Sequence, residues 1–286
     1  TMKPMCAFKW QDHKNKLKFP YFIQPKLNGV RGLYYQGQMQ SRGLGEEEGK
    51  LWNYPVIKHI IDDLRKVVPD NYLLDGELYL HGLSLQQINS AIAVKRLAPS
   101  AKSPSIQYHV FDVIDTDSLH LPFMERARIL DTLREKLVIH QAEAIKIVPT
   151  TLVGGPGLDS TLYANYRSQG YEGIMYRDSS APYGFAEECG NKQNRWKYLL
   201  KRKGWEDGEF EIIDFQKTIG DKGHAGFQIT CKTSNGKTFN VGSGLSHAEQ
   251  DYYAQNSPVG QLLKLRFEML SDTGIPLKPT IETILE

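Results

Sequence analysis

The sequence predicts a mixed α+β domain over residues 1–204, followed by a small all-β domain over residues 205–286. Two observations support this division. Before residue 204, strand-like runs alternate with amphipathic segments of helical period. After it, short strand-like runs are separated by glycine-rich turns, a pattern typical of a small antiparallel barrel. A chain of 286 residues is long enough for two such domains.

The elements of the first domain follow from periodicity and from signals at their ends. Asn28-Gly29 is a turn signal after a strand, and Pro55 opens a helix. Ser84 with Gln87 has the form of a capping box, which predicts the start of another helix. In chain order we expect strands at 21–31, 32–35, 72–79, 106–113 and 173–176, and helices at 55–68, 84–94, 123–138 and 160–169.

The second domain is predicted from short strands and the turns between them. We expect strands at 209–215, 227–232, 238–241 and 263–268. Turns are expected at 220–223, 235–236 and 242–244, where glycines cluster. This arrangement predicts an antiparallel barrel of the OB kind, joined to the first domain by a linker at 204–208.

Composition excludes some classes of protein and leaves others open. Apolar residues make up 40% and charged residues 24%, as in ordinary globular proteins. No apolar run is long enough to cross a membrane, and no secretion signal is evident. The three cysteines lack metal-ligand spacing, so we expect a reducing compartment, the cytoplasm. A net charge of +2 neither demands nor excludes a nucleic-acid partner.

The strongest single motif is Lys26-Leu27-Asn28-Gly29-Val30-Arg31, a lysine in a short turn with an arginine five residues later. A lysine that attacks phosphorus must be deprotonated near neutral pH, which requires burial or neighbouring cations. The surrounding apolar strand and nearby basic residues can meet that requirement. Taken alone, however, such a lysine is more often an ordinary surface residue at the end of a strand.

Two further segments suit nucleotide binding. Arg42 in Ser41-Arg42-Gly43 places a planar guanidinium beside a glycine, which allows close approach to a phosphate. Glu77, which ends Asp75-Gly76-Glu77, can accept from a ribose hydroxyl or orient water on a metal. Each tripeptide alone is weak evidence, because hairpin turns also carry solvated charges.

The later segments add an aromatic residue and another carboxylate. In a regular strand, residues 108, 110 and 112 would share one face and residues 109, 111 and 113 the other. Phe111 can then lie flat on a base, although a core phenylalanine is the ordinary explanation. Glu172 precedes a buried strand and can serve a hard cation such as Mg²⁺.

The last segment, residues 195–203, is basic and half apolar. Lys201 and Lys203 are two residues apart and therefore lie on the same face of a predicted strand, which begins at Arg195. Two ammonium groups and a guanidinium directed at one point suit the charge that develops in phosphoryl transfer. Each segment alone has a simpler structural explanation, but together they would require six unrelated coincidences in a set order.

In this order the segments resemble the motifs of the covalent nucleotidyltransferases, and most closely those of small, phage-type ATP-dependent DNA ligases. The resemblance covers nearly the whole chain and is highly specific to the superfamily. It discriminates less well among DNA ligases, RNA ligases and capping enzymes. The matching segments are residues 24–31, 41–43, 74–79, 111–112, 172–175 and 199–203.

The resemblance implies an adenylation domain followed by an OB-fold domain, and a three-step reaction. Lys26 would attack the α-phosphate of ATP and become lysyl-AMP. AMP would then pass to the 5′-phosphate at a nick in duplex DNA, and the 3′-hydroxyl would displace it. In-line displacement at phosphorus needs positioning and charge neutralisation more than covalent helpers, which agrees with the residue types present.

The resemblance also implies roles around the nucleotide. Arg31 and Arg42 would contact nucleotide or nick phosphates, and Gln24 would read the adenine edge. Glu77 would contact the ribose and, together with Glu172, would hold Mg²⁺.

The remaining implied contacts are with the base and with the phosphate of AMP. Phe111 would stack on adenine. Arg195, Lys201 and Lys203 would neutralise the AMP phosphate. As partners we expect nicked duplex DNA and no membrane, and we expect the protein to be a monomer.

Two features depart from the family pattern. Asn28 stands where the family usually has Asp, so a charge that could affect metal or 3′-hydroxyl handling is missing. The basic motif that usually ends these proteins is not evident, since residues 281–286 are acidic and apolar. Lys278 is a candidate pyrophosphate contact. The alternatives left open are an RNA ligase, a GTP-using capping-type enzyme, or a non-catalytic OB-containing nucleic-acid binding protein.

Overall fold

The computed structural model describes residues 3–43, 48–191, 193–219, 225–271 and 273–285. The chain divides into two compact units, residues 1–203 and residues 204–286. Regular structure resumes at residue 206, so the linker predicted at 204–208 is partly strand. None of the helices among the described residues is long and apolar enough to cross a membrane.

The first unit is a mixture of strands and helices. Short 3₁₀ segments lie at Lys14–Lys16, Tyr54–Ile57 and Ser103–Ser105. The other elements are β1 (Cys6–Lys9), α1 (Trp10–His13), β2 (Tyr21–Lys26), β3 (Val30–Tyr35), β4 (Gln38–Ser41), α2 (Lys58–Val67), β5 (Tyr72–Tyr79), α3 (Leu85–Ile92), β6 (Gln107–Asp115), α4 (Phe123–Ile139), β7 (Ile145–Ile147), β8 (Thr151–Val153), α5 (Leu158–Ser168), β9 (Gly173–Asp178), α6 (Ala186–Cys189) and β10 (Arg195–Lys203).

These strands form two five-stranded sheets. Sheet I has the order β1-β10-β9-β2-β8, and sheet II has the order β4-β3-β5-β6-β7. The β1–β10 and β6–β7 pairs are parallel, and the other pairs are antiparallel. Apolar side chains of both sheets, including Leu33, Ile114 and Leu199, form one core cluster, so the sheets pack face to face there.

Helices cover the outer faces of the two sheets. Leu64 of α2 and Leu130 of α4 pack with sheet II residues in the largest core cluster. On sheet I, Tyr166 of α5 packs against Ile23 and Tyr176. Burying an apolar side chain of this size contributes about 1.5–3 kcal/mol, so the helical faces hold the layers together. The unit is therefore layered, with a helical layer outside each sheet.

Most of the predicted elements of this unit are present, and their end signals explain them. Ser84 and Gln87 form the predicted capping box at the start of α3. The buried residues of α2 recur at the predicted helical spacing, but Pro55 opens a 3₁₀ turn and the α-helix begins only at Lys58. That difference is physically modest, since 3₁₀ turns are common at helix starts.

The predicted alternation of side chains along β6 is wrong beyond Val110. In the β5–β6 pairing, Asp75 lies opposite Asp112 and Gly76 lies opposite Val110, so Phe111 is an extra residue. This β-bulge reverses the face of the sheet to which each following side chain points. As a result Val113 is buried in the same core cluster as Val110, rather than on the face of Phe111.

The second unit contains an antiparallel five-stranded sheet and a short hairpin. The sheet has the order β13-β12-β11-β14-β17 among the described residues. Its elements and those beside it are β11 (Glu206–Ile219), β12 (Ala225–Lys232), β13 (Thr238–Val241), α7 (His247–Gln255), β14 (Leu262–Phe267), β15 (Met269–Leu270), β16 (Pro276–Leu277) and β17 (Thr280–Leu285).

The long strand β11 organises this unit. Its first part, from Glu206, pairs with β14, and its second part, to Ile219, pairs with β12. Buried Ile212, Leu263 and Phe239 belong to one core cluster. Sequence patterns did not predict α7 or β17. The predicted turn at 220–223 lies outside the described residues.

Candidate active site

A cavity of about 930 Å³ in the first unit gathers most of the predicted site residues. This volume is at the upper end of the range for small-molecule sites, about 300–1,000 Å³. Residues of both sheets line it. The predicted residues on its lining are Gln24, Lys26, Arg31, Arg42, Glu77, Phe111, Arg195 and Lys201, while Glu172 contacts Lys26 and Lys203 contacts Glu172.

Lys26, Gly173 and Lys203 form one row across three adjacent strands. In the strand register, Gly173 of β9 pairs with Lys26 of β2 on one side and with Lys203 of β10 on the other. The Lys26 Nζ donates to Glu172 Oε2 at 2.5 Å, and the Lys203 Nζ forms an ion pair with Glu172 Oε1. One carboxylate thus bridges the candidate nucleophile and a second cation.

Glu172 stays ionised because of these two lysines. Burial raises the pKa of its carboxyl, but the Lys26 and Lys203 ammonium groups outweigh burial and hold that pKa below its usual range. An amine that acts as a nucleophile must give up a proton. Because the Glu172 carboxylate is held ionised, its contact with Nζ orients the amine rather than taking its proton.

Glu77 lies against the turn that follows Lys26. The Gly29 N–H donates to Glu77 Oε1 at 3.1 Å, and a Cβ at Gly29 would lie only 2.8 Å from Glu77 Cγ. Glycine is therefore required where the turn meets β5. Burial raises the pKa of Glu77 to about 7, although Lys26, Arg31 and the Gly29 N–H oppose this shift.

Arg31 is held by a carboxylate that motif reasoning did not assign to the site. Its Nε donates to Asp75 Oδ1 at 2.8 Å and its Nη2 to Asp75 Oδ2 at 2.5 Å. The two bonds fix the plane of the guanidinium. Asp75 is fully buried, and the Arg31 guanidinium lies 5.4 Å from the centre of the Phe111 ring.

Phe111 and Gln24 meet at the bulge of β6. The Gln24 side-chain amide donates to the Phe111 carbonyl at 3.0 Å and to the Thr150 hydroxyl at 2.9 Å, and it accepts from Arg177 Nε at 2.6 Å. The Arg177 guanidinium also lies 5.3 Å from the Phe111 ring centre. With its amide bonded within the domain, Gln24 would have to exchange bonds to read adenine, so that role stays a prediction.

Asp112 anchors this corner of the site. It is fully buried and accepts hydrogen bonds from Arg126 Nε at 2.7 Å and from Arg177 Nη1 at 2.6 Å. Burial raises the pKa of Asp112, but the two guanidinium groups outweigh burial and hold that pKa below its usual range. The single signal in the sequence was the pair Phe111-Asp112, and Arg126 and Arg177 gave no signal at all.

The remaining predicted cations lie at other parts of the cavity wall. Arg42 follows β4 and is exposed. Arg195 opens β10, and its side chain donates to the Ala7 carbonyl at 2.6 Å and to Gln193 Oε1 at 2.5 Å. Lys201 of β10 pairs with Met175 of β9, which in turn pairs with Gln24 of β2, and Arg202 is the next residue along β10. Cations therefore surround the cavity on several sides, which suits an anionic ligand.

The carboxylates of the site can hold a magnesium ion only if a bound ligand supplies other groups of its coordination shell. Among the described residues, no three His, Cys, Asp or Glu side chains converge on one point. Glu77 and Glu172 are two carboxylates near Lys26. Lys26 lowers the pKa of Glu77 and Glu172 raises it, and Glu172 is in contact with Lys26 Nζ. Mg²⁺ commonly takes one or two protein carboxylates and completes its shell with phosphates and water.

Comparison with known families agrees with this geometry. A family model described as the ATP dependent DNA ligase domain matches residues 4–201. The chain belongs to this family. A second model, described as a DNA ligase OB-like domain, matches residues 222–284. The expected order of an adenylation domain followed by an OB-like domain is confirmed.

The similar curated proteins are DNA ligases. The chain is 29% identical over 273 residues to the DNA ligase of African swine fever virus (strain Badajoz 1971 Vero-adapted). That match covers 90% of this chain but 61% of the viral protein, so the chain spans about three fifths of its relative. A DNA ligase of Archaeoglobus fulgidus is 23% identical over 194 residues, 64% of this chain and 33% of that protein.

Solved structures of ligases share the fold. A Lig E DNA ligase, described in terms of DNA binding with a minimal scaffold, has a TM-score of 0.74 and 18% identity, with 99% of each chain covered. The ATP-dependent DNA ligase of bacteriophage T7 in complex with ATP has a TM-score of 0.54 and 13% identity, covering 99% of this chain and 98% of that one. At these identities, the likeness shows the fold of the chain.

Proposed function

We propose that this protein is an ATP-dependent DNA ligase that seals nicks in duplex DNA through a lysyl-AMP intermediate. The observation that carries the proposal is the contact of Lys26 Nζ with Glu172, beside Lys203, on the wall of a cavity lined with cations. Family membership supports the choice of ATP and DNA.

In the first step, Lys26 Nζ attacks the α-phosphorus of ATP. The N–P bond forms as the bond from that phosphorus to the bridging oxygen breaks, and pyrophosphate leaves with the electron pair. Nζ gives up its proton to solvent, and the Glu172 carboxylate, 2.5 Å away, holds the amine in position. The product is AMP joined to the lysine through a phosphoramidate.

The cations of the site stabilise the charge that develops at phosphorus. Lys203 and Lys201 come from β10, and Arg195 stands at its start. We propose that these three groups contact the AMP phosphate, as preorganised positive charge favours the transition state. Glu77 and Glu172 would hold Mg²⁺, which supplies further charge neutralisation on the phosphates.

Phe111, Gln24, Arg31 and Arg42 complete the proposed site. Phe111 would stack on adenine beside Gln24, while Arg31 and Arg42 would contact phosphates of the nucleotide or of the nick.

In the second step AMP passes from Lys26 to the 5′-phosphate at the nick. In the third step the 3′-hydroxyl attacks that phosphate, the phosphodiester forms, and AMP leaves.

We also propose that the adenylation domain is residues 1–204 and the OB domain residues 205–286, in a monomer that acts in the cytoplasm. Free Cys6, Cys189 and Cys231 support a reducing compartment. Lys278, the candidate pyrophosphate contact, forms an ion pair with Glu268 at 3.0 Å, so pyrophosphate would have to compete with that acid.

The test is the intact mass of the protein after incubation with Mg²⁺ and ATP or GTP. The protein is first stripped of bound nucleotide with pyrophosphate. We expect one AMP adduct with ATP alone, none on Lys26→Ala, and a normal adduct on Lys66→Ala, an exposed lysine of α2. A guanylate adduct would indicate a capping-type enzyme.

Sealing assays then define the substrate. Nicked duplexes with a DNA or an RNA strand at the break separate a DNA ligase from an RNA ligase. Absence of any adduct on stripped protein would contradict the proposal and favour a non-catalytic nucleic-acid binding protein.

A further inference from the structure

Tyr183 lies in the segment between β9 and α6, outside every motif that the sequence presents. Its side chain is fully buried in the cluster where the two sheets pack together. The hydroxyl donates to Asp75 Oδ2 at 2.6 Å and accepts from the Met5 N–H at 3.3 Å. Tyr183 thus joins the segment before β1 to a carboxylate of sheet II.

Asp75 connects Tyr183 to the cavity. Both of its oxygens accept from Arg31, one from Nε and one from Nη2, and Oδ2 also accepts from the phenol. Its side chain has no exposed surface, so water does not replace any of these bonds. Arg31 lines the cavity, and the orientation of its guanidinium therefore follows the rotation of the Asp75 carboxylate.

We propose that Tyr183 is a positioning residue of the ligation reaction, which holds Arg31 in place through Asp75. The inference rests on the proposed function, because Arg31 matters only if it contacts a reacting phosphate. Without the phenol, the hydrogen bonds left to the Asp75 carboxylate from the described part of the chain are the two from Arg31, and the pair can rotate as a unit. A displacement of about 1 Å is enough to lower rates strongly in phosphoryl transfer.

The experiment compares Tyr183→Phe, Arg31→Ala and the double variant in single-turnover adenylation and nick sealing. Whichever step Arg31→Ala slows, Tyr183→Phe should slow the same step by about 10- to 100-fold, the range for losing a hydrogen bond to a charged group. The KM for ATP should change less than this rate. In the double variant, Tyr183→Phe should cause no further loss.

The matched control is Tyr176→Phe. Tyr176 is also fully buried, and its hydroxyl donates to Asp159 at 3.4 Å on the α5 side of sheet I. We expect its rates to match wild type. A second readout that does not depend on activity is the Nε–H resonance of Arg31, whose exchange with water should accelerate in Tyr183→Phe and not in Tyr176→Phe.

Two outcomes would overturn the proposal. One is a Tyr183→Phe protein with wild-type rates and wild-type exchange at Arg31 Nε–H. The other is the same loss with and without Arg31, which would assign Tyr183 a purely structural role. Failure of the wild-type protein to form an adenylate would instead count against the proposed function, so the two failures are distinguishable.

Discussion

Gly76 provides a sharp test of how the two sheets shape the site. It lies in β5 between Asp75, which holds Arg31, and Glu77, which lies against the turn after Lys26. A Cβ at this position would be 2.6 Å from the carbonyl oxygen of residue 109 and 2.7 Å from Cε2 of residue 108. Gly76→Ala should therefore push β5 and β6 apart beside the bulge.

The size of the displacement follows from these distances. Ordinary contact begins at 3.4 Å, so the alanine methyl requires a shift of about 0.8 Å relative to the carbonyl oxygen. Tyr108 cannot move aside easily, because its ring is fully buried and its hydroxyl donates to the Gly32 and Leu74 carbonyls. Overpacking of this kind costs about 1–3 kcal/mol, or about 2–4 °C of Tm per kcal/mol in a unit of this size.

The assay is single-turnover adenylate formation with ATP at a temperature where the variant is fully folded. A misplacement near 1 Å costs about 10²-fold, so we expect a loss of about 10- to 100-fold. Gly154→Ala is the matched control, since its added Cβ would meet no atom within 4 Å among the described residues, apart from its two chain neighbours. Gly76→Ala with a lowered Tm but a wild-type rate and KM would refute the reasoning, because the spacing of β5 and β6 would then not position the site.

Three further predictions concern single charges. Burial raises the pKa of Glu77 to about 7 from 4.5, so its contribution to the free energy of unfolding is greatest below about pH 4.5 and is lost as pH rises to about 7. In urea titrations, Glu77→Gln should therefore gain stability relative to wild type from about pH 5 to about pH 8. A difference in unfolding free energy that stays constant over this range would contradict the prediction. Asn28→Asp should form adenylate at close to the wild-type rate, and a large change in yield would show that the position matters for the first step. Asp112→Asn should lose about 3–5 kcal/mol of unfolding free energy, measured by urea denaturation. The buried guanidinium groups of Arg126 and Arg177 would lose the counter-charge that they share. A loss below about 1 kcal/mol would argue against Asp112 as their stabilising counter-charge.

Local patterns in the sequence determined the order of elements and the residues of the motifs. The capping box at Ser84, the apolar spacing of α2 and the glycine turn at Gly29 act within a few residues, so they can be read without the fold. The alternation of Lys201 and Lys203 likewise follows from strand geometry alone. The cations of the family motifs that line the cavity also follow from the order of residue types along the chain.

Only the tertiary structure decided which groups contact one another. The Lys26–Glu172–Lys203 bridge depends on the register of β9 with both β2 and β10, and β2 lies far from the other two strands in the chain. The bulge at Phe111 also depends on a partner strand, and local alternation therefore mispredicted Val113. A buried charge such as Asp75 needs partners because an unpaired charge in the core is too costly, and the partners of Asp75, Arg31 and Tyr183, are distant in sequence. Patterns of residue type along the chain carry no information about which distant residues pair.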